Sequence, residues 1–155
     1  MLFGGKVKNI LKNKNGQDAI IEIDNLLSPI FYSNPEKLSS KEQQIVLIEE
    51  LEREINNGGF NQFFYNSAGD YAHETIAALR EVKSVKFLKT MESAVSLFPD
   101  SKVPRNRNER EKILERIEND ANPEWDRLDS EFLEYDEDIY SLLIDFIQKN
   151  IKDFR

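Results

Sequence analysis

Asp70, His73 and Glu74 stand at i, i+3 and i+4, which places two carboxylates and the chain's only imidazole on one helical turn, a set able to hold a metal ion. Ser67, just upstream, adds a hydroxyl, so Ser67, His73 and Asp70 also supply the residue types of a nucleophilic triad. Both readings meet a simpler competitor. The helix macrodipole favours acids in a first turn, and Ser67 and Asp70 are natural helix caps. The run His73-Glu74-Thr75-Ile76-Ala77 lacks the second histidine of a zinc-protease helix, and no phosphate loop, dinucleotide fingerprint or paired-cysteine motif occurs. Structural capping is therefore the expectation here, with no catalytic residue, no metal and no cofactor.

The same stretch, residues 56 to 74, packs three Gly, four Asn and five aromatics into nineteen positions. Phe60, Phe63, Phe64, Tyr65 and Tyr71 offer a stacking platform for bases, but such platforms line basic grooves, and residues 56 to 72 hold one acid and no Lys or Arg. Burial of the rings follows instead, in a tightly turned connection that the glycines permit. Asn57, Asn61, Gln62 and Asn66 then satisfy backbone groups of the turn.

A third set is anionic. Between Glu118 and Asp138 lie ten carboxylates, Glu118, Asp120, Glu124, Asp126, Asp129, Glu131, Glu134, Asp136, Glu137 and Asp138, against one cation, Arg127. Five of them have an ordinary explanation, because Glu124 and Asp126 follow Asn122 and Asp136, Glu137 and Asp138 open a last helix. The other five form either a solvated face or a surface for a cationic partner. The net charge of −8 lies wholly in residues 108 to 155, which carry 7 basic and 15 acidic side chains, while residues 1 to 107 carry 14 of each. Such a field repels nucleic acid and attracts basic proteins.

Apolar residues recur at helical spacing along the 155 residues, which predicts an all-α, compact single-domain bundle of about seven to eight helices. A basic amino-terminal segment, 1–16, containing Lys6, Lys8, Lys12 and Lys14, precedes a single helical domain, 17–155. The first helix is expected from Gln17 to Leu27, ended by Pro29; a second opens on a Ser39–Glu42 capping box and stops at Asn57-Gly58-Gly59. Phe60, Phe63 and Phe64 share one face of a short third helix, and Ser67 and Asp70 cap a fourth. Leu88, Met91, Val95 and Phe98 mark a fifth before Pro99. A polar loop, 99 to 108, is the candidate hinge, with Asn108 capping a sixth helix that presents Ile113, Leu114 and Ile117. Asn122-Pro123 starts another helix with Trp125, Leu128, Phe132 and Tyr135 inward, and a final one spans Asp136 to Lys152. No cysteine, no apolar stretch of membrane-spanning length and no signal-peptide core are present, which fits a soluble cytoplasmic protein.

The run Glu54-Ile55-Asn56-Asn57-Gly58-Gly59-Phe60-Asn61-Gln62-Phe63-Phe64-Tyr65-Asn66-Ser67-Ala68-Gly69-Asp70-Tyr71-Ala72 resembles the signature of a bacterial family of all-helical domains of unknown function, whose best-described member is a DNA-mimic protein. The resemblance extends to Leu97-Phe98-Pro99 and to Trp125-Asp126-Arg127-Leu128-Asp129, covering roughly residues 40 to 150. It implies a helical bundle that forms a homodimer, with no catalytic residues, in which Asn57, Gly58, Gly59, Phe60, Gln62, Phe63, Phe64, Asn66, Ser67, Gly69, Asp70 and Tyr71 serve the fold. It also implies that the acidic positions imitate phosphates at the DNA site of a regulator. Here the charge is confined to the last third of the chain, with positive patches at Lys6 to Lys14 and Arg105 to Arg110. The expected function is a non-enzymatic protein-binding domain whose ten acidic residues meet a basic protein, either a DNA-binding regulator or a nuclease inhibited in the manner of an immunity protein. A small enzyme or ligand-binding protein with a cleft near residues 57–73 is the alternative. Contact with nucleic acid or membrane is not expected.

Overall fold

Helical periodicity is realised throughout the computed structural model, which describes residues 4–154 as seven α-helices with short 3-10 turns and no strand. Two units are distinguishable by their internal contacts: one runs from the amino-terminal helix to Glu49 and resumes at Asp138, and the other is Glu50–Glu137.

In the first unit, α1 (Gly4–Asn13) lies within the segment read as basic. It forms because Val7 and Ile10, spaced i, i+3, are buried, while Lys6, Lys8 and Lys12 stay in solvent. The next helix, α2 (Gly16–Ser33), buries Ile20, Ile23 and Leu27 as predicted but does not stop at Pro29. Pro29 and Asn25, whose carbonyl loses its partner to the ring, are both exposed, so water can satisfy that acceptor. Ser39 and Glu42 make the predicted reciprocal cap of α3 (Ser40–Tyr65): the Glu42 amide donates to Ser39 Oγ at 3.1 Å and the Ser39 amide to Glu42 Oε2 at 2.8 Å. The last helix, α7 (Ile139–Lys149), is shorter than the predicted Asp136 to Lys152; Asp138 caps it through the Ser141 amide, and Leu143 and Ile147 are buried.

The second unit contains the carboxyl-terminal part of α3, then α4 (Ala72–Glu81), α5 (Val85–Val95) and α6 (Arg107–Leu133). Here α3 is two helical stretches joined across a kink at Asn57-Gly58-Gly59, the predicted stop, with Gly59 non-helical at φ 83° and ψ −171°. Beyond the kink, Phe60, Phe63 and Phe64 are fully buried. Phe64 packs against Phe98 and Trp125 with ring centroids 4.7 and 5.2 Å apart, and Phe87 stacks on Phe132 at 4.3 Å. Trp125 Nε1 donates to the Ala94 carbonyl at 3.1 Å, so the indole brings no unsatisfied donor into this core.

Three predicted caps fall elsewhere. Ser67–Tyr71 is a 3-10 turn, and neither Ser67 nor Asp70 caps α4, which starts after Tyr71 without a side-chain acceptor. Asn106, not Asn108, caps α6 by accepting from the Glu109 amide at 3.0 Å. Pro123 does not begin a helix but lies inside α6, where its missing donor releases only the carbonyl of exposed Asn119, and Asn122 accepts from Asn61 Nδ2 at 2.8 Å.

Asp70 is committed to Arg110, whose side chain is 0% exposed. All five N–H donors of that guanidinium are used. Nε donates to the Phe64 carbonyl at 2.6 Å, Nη1 to the Pro104 and Arg105 carbonyls at 2.9 and 3.0 Å, and Nη2 to the Asn66 carbonyl at 3.0 Å and to Asp70 Oδ1 at 2.8 Å. The approach requires glycine at position 69, where a Cβ would come within 2.8 Å of both Arg110 Nε and the Phe64 carbonyl. Replacing Arg110 by Met would leave four carbonyls without this donor, at a cost of about 3–5 kcal/mol. Arg110→Lys should recover only part of this, because an ammonium cannot reproduce the planar fork; urea denaturation of both variants measures it.

Candidate functional site

Helix α6 carries most of the anionic residues, and its 100° per-residue rotation sorts them. Its core face is Arg110, Leu114, Ala121, Trp125, Leu128 and Phe132, all buried. One flank holds Glu111, Glu115, Glu118, Asn122, Asp126 and Asp129. The opposite flank holds Asp120, Glu124, Arg127 and Glu131, continued by Glu134 beyond the helix end. The ten carboxylates singled out from the sequence thus do not share one face.

The first flank has no Lys or Arg among its positions and extends about 22 Å from Glu111 to Asp126 at helical rise; Glu111, Glu115 and Glu118 follow one another at about 5–6 Å, and Asn122 separates them from Asp126 by about 12 Å. Its cationic neighbour is Arg107, at 3.2 Å from Glu111 one turn earlier. Tyr65 reports the local field. Its phenol donates to Glu118 Oε2 at 2.8 Å and is pushed up to about 12, first by burial, then by the bond to Glu118 and the charges of Glu118, Glu115 and Glu111. Asp126 is exposed at the far end.

The second flank is partly neutralised. Arg127 pairs with both Glu124 and Glu131, and its hydrogen bonds hold the Glu124 carboxyl below the usual range. Asp136 pairs with Lys86 at 3.1 Å. Lys86, Lys89 and Arg127 share with Glu131, Glu134 and Asp136 a cleft of about 470 Å³ beside α5.

Several of the ten are structural. Glu137 accepts from Ser84 Oγ at 2.5 Å and from the Val85 amide at 3.0 Å, so it caps α5 from a distant part of the chain. Asp138 caps α7, and the bonds from Ser141 hold its carboxyl low. Asp129 accepts from the Phe60 amide at 2.8 Å, restarting α3 after the Gly59 kink. Asp120, Asp126 and Glu134 are exposed, and their carboxylates make no ion pair or hydrogen bond among the described residues. Glu111 and Glu115 lie upstream of the dense run from Glu118 that the composition brings out; their spacing of i, i+4 and i+7 with Glu118 was the available signal.

The expected cleft near residues 57–73 is occupied by the buried phenylalanines. Its polar side chains take separate partners: Asn61 Asn122, Gln62 and Asn66 the Glu54 carboxylate, Asp70 Arg110, and His73 the Val103 amide. Glu74 pairs with Arg105, so the Asp70, His73 and Glu74 turn does not converge on a common point, and no group of three potential metal ligands is found among the described residues. No described helix is long and apolar enough to cross a membrane.

Fold and site together define an all-α domain built on a buried arginine, with a carboxylate-lined flank on its longest helix. The chain belongs to the DMP19-like protein family, whose model matches residues 36–150. Comparison with curated proteins and with solved structures gave no match.

Burial pushes the Asp129 carboxyl above the usual range, aided by the Asp126 charge and opposed by the Phe60 amide. A raised folded-state value means that protonation favours the fold: this contribution is full below the unfolded carboxylate value of about 3.9 and is lost as pH rises through the folded value. Asp129→Asn keeps an acceptor but cannot ionise, so its stability relative to the parent should rise as pH increases from acid to neutral. Asp129→Ala should cost about 1–2 kcal/mol through the lost cap, and Gly59→Ala at least as much, since a Cβ there lies 2.0 Å from Asp129 Oδ2. Urea midpoints across the pH range test the set.

Proposed function

We propose that this is a non-enzymatic, protein-binding domain that presents the Lys- and Arg-free flank of α6 to a basic protein surface, as a mimic of DNA. The observation that carries the reading is the row Glu111, Glu115, Glu118 and Asp126, which has no Lys or Arg at its own positions and whose one ion pair among the described residues is Glu111 with Arg107 at its amino-terminal end. Carboxylates along a rod, about 5–6 Å apart from Glu111 to Glu118 and about 12 Å on to Asp126, are similar in kind to a phosphate strand, where one charge falls every 3.4 Å or so. Membership of the DMP19-like family supports the reading. The mechanism is electrostatic competition: the partner's lysines and arginines meet side-chain carboxylates in place of phosphates. Both a DNA-binding regulator and a nuclease offer such a surface.

The test is capture on immobilised protein, with added duplex DNA as the competitor. A basic protein should be retained at about 0.1 M salt, where the Debye length is about 10 Å, and released both by duplex DNA and by about 1 M salt. Substituting Glu111, Glu115, Glu118 and Asp126 together by Gln or Asn should abolish retention, whereas Glu131→Gln with Glu134→Gln should not. Retention that survives the first set, or that duplex DNA does not displace, refutes the mimicry.

A further inference from the structure

The lone histidine has a bond that only its neutral form can make. His73 Nε2 lies 3.1 Å from the backbone nitrogen of Val103, and an amide N–H can only donate, so this ring nitrogen must carry no proton. Val103 is buried, at 6% exposure, although the residues on its amino-terminal side, Asp100, Ser101 and Lys102, are exposed. Its surroundings give its amide no helical partner. Pro99–Ser101 is a 3-10 turn closed by its own bonds, with the Ser101 amide on the Phe98 carbonyl and the Lys102 amide on the Pro99 carbonyl. Arg110 takes the next carbonyls, those of Pro104 and Arg105. Between these anchors the main chain is tied to α4 through His73.

We propose that His73 is a pH-sensitive latch that holds the connection from Pro99 to Asn106 against α4. Protonation of the ring sets two N–H donors face to face and breaks the tie. The charged groups around the ring do not replace it. Asp70 is engaged by Arg110, Glu74 by Arg105, and Lys102 brings a further positive charge beside Val103. The Arg105–Glu74 ion pair is exposed on both sides and is the weaker remaining link to α4. Two residues at left-handed φ, Asp100 at 57° and Ser101 at 55°, lie just before the latch, so release of Val103 frees a strained turn. Lys102 and Arg105 are exposed with the latch closed, and Arg110 still holds the Pro104 and Arg105 carbonyls, so acidification loosens the backbone between Pro99 and Val103.

Amide spectra of the full chain, recorded from about pH 7.5 to about pH 5.5, spanning the range in which histidine changes charge, should show the Val103 resonance moving in step with the His73 ring. His73→Gln retains a non-titrating acceptor and should remove that movement. At a fixed pH near 8, His73→Ala should be cut by trypsin after Lys102 or Arg105 about fivefold faster than the parent, as expected for one lost hydrogen bond, and His73→Gln at the parent rate. A Val103 resonance that ignores the ring's titration, or that moves equally in His73→Gln, overturns the latch. So does a His73→Ala protein that folds and is cut no faster.

Discussion

The second unit depends on a guanidinium that has no contact with water. A buried cation is tolerable only when every donor finds an acceptor, and Arg110 finds five, from three separate stretches of chain. Two are the carbonyls of Phe64 and Asn66 at the end of α3, two belong to the Pro104-Arg105 connection, and one is the Asp70 carboxylate. Because the fork is planar and rigid, it specifies where those stretches lie relative to one another. The rest of the aromatic and glycine-rich segment follows from that constraint. Gly69 is small because the guanidinium passes over it, and Phe64, whose carbonyl is held, is aimed at Phe98 and Trp125.

Helix α6 carries this arginine on its core face and an anionic row on one flank, so structure and proposed recognition are coupled through one element. The same helix divides its charge unequally. One flank meets Lys86, Lys89 and Arg127 and is locally balanced. The other has carboxylates at Glu111, Glu115, Glu118, Asp126 and Asp129, interrupted by Asn122, and three of them add to the burial that raises the Tyr65 phenol. Like charges that weaken a fold persist most readily where a partner relieves them.

How much was legible depended on how local the interaction was. The Ser39–Glu42 cap was readable because both partners lie within one turn, and the burial of Phe60, Phe63 and Phe64 was readable because i, i+3, i+4 spacing is itself helical geometry. Pro29, Pro123 and Gly59 were read as boundaries, since each disrupts a helical bond locally. Gly59 is one, and Asp129, 69 residues away, takes the Phe60 amide where the helix restarts. The helices at Pro29 and Pro123 continue, because solvent faces the carbonyl that each proline leaves open. In the same way Asp70 looked like a cap until Arg110, 40 residues later, claimed it.

Composition and period determined by themselves that the chain is all-α, which rings enter its core, and that its excess negative charge belongs to the final third. Only tertiary structure decided which carboxylates are spent as caps or ion pairs, at Glu124, Asp129, Asp136, Glu137 and Asp138, and which share a flank of α6 that carries no Lys or Arg. The reason is one of range. Helical spacing expresses contacts within a turn, whereas a hydrogen bond of about 3 Å between distant segments is settled only when the chain has closed around them.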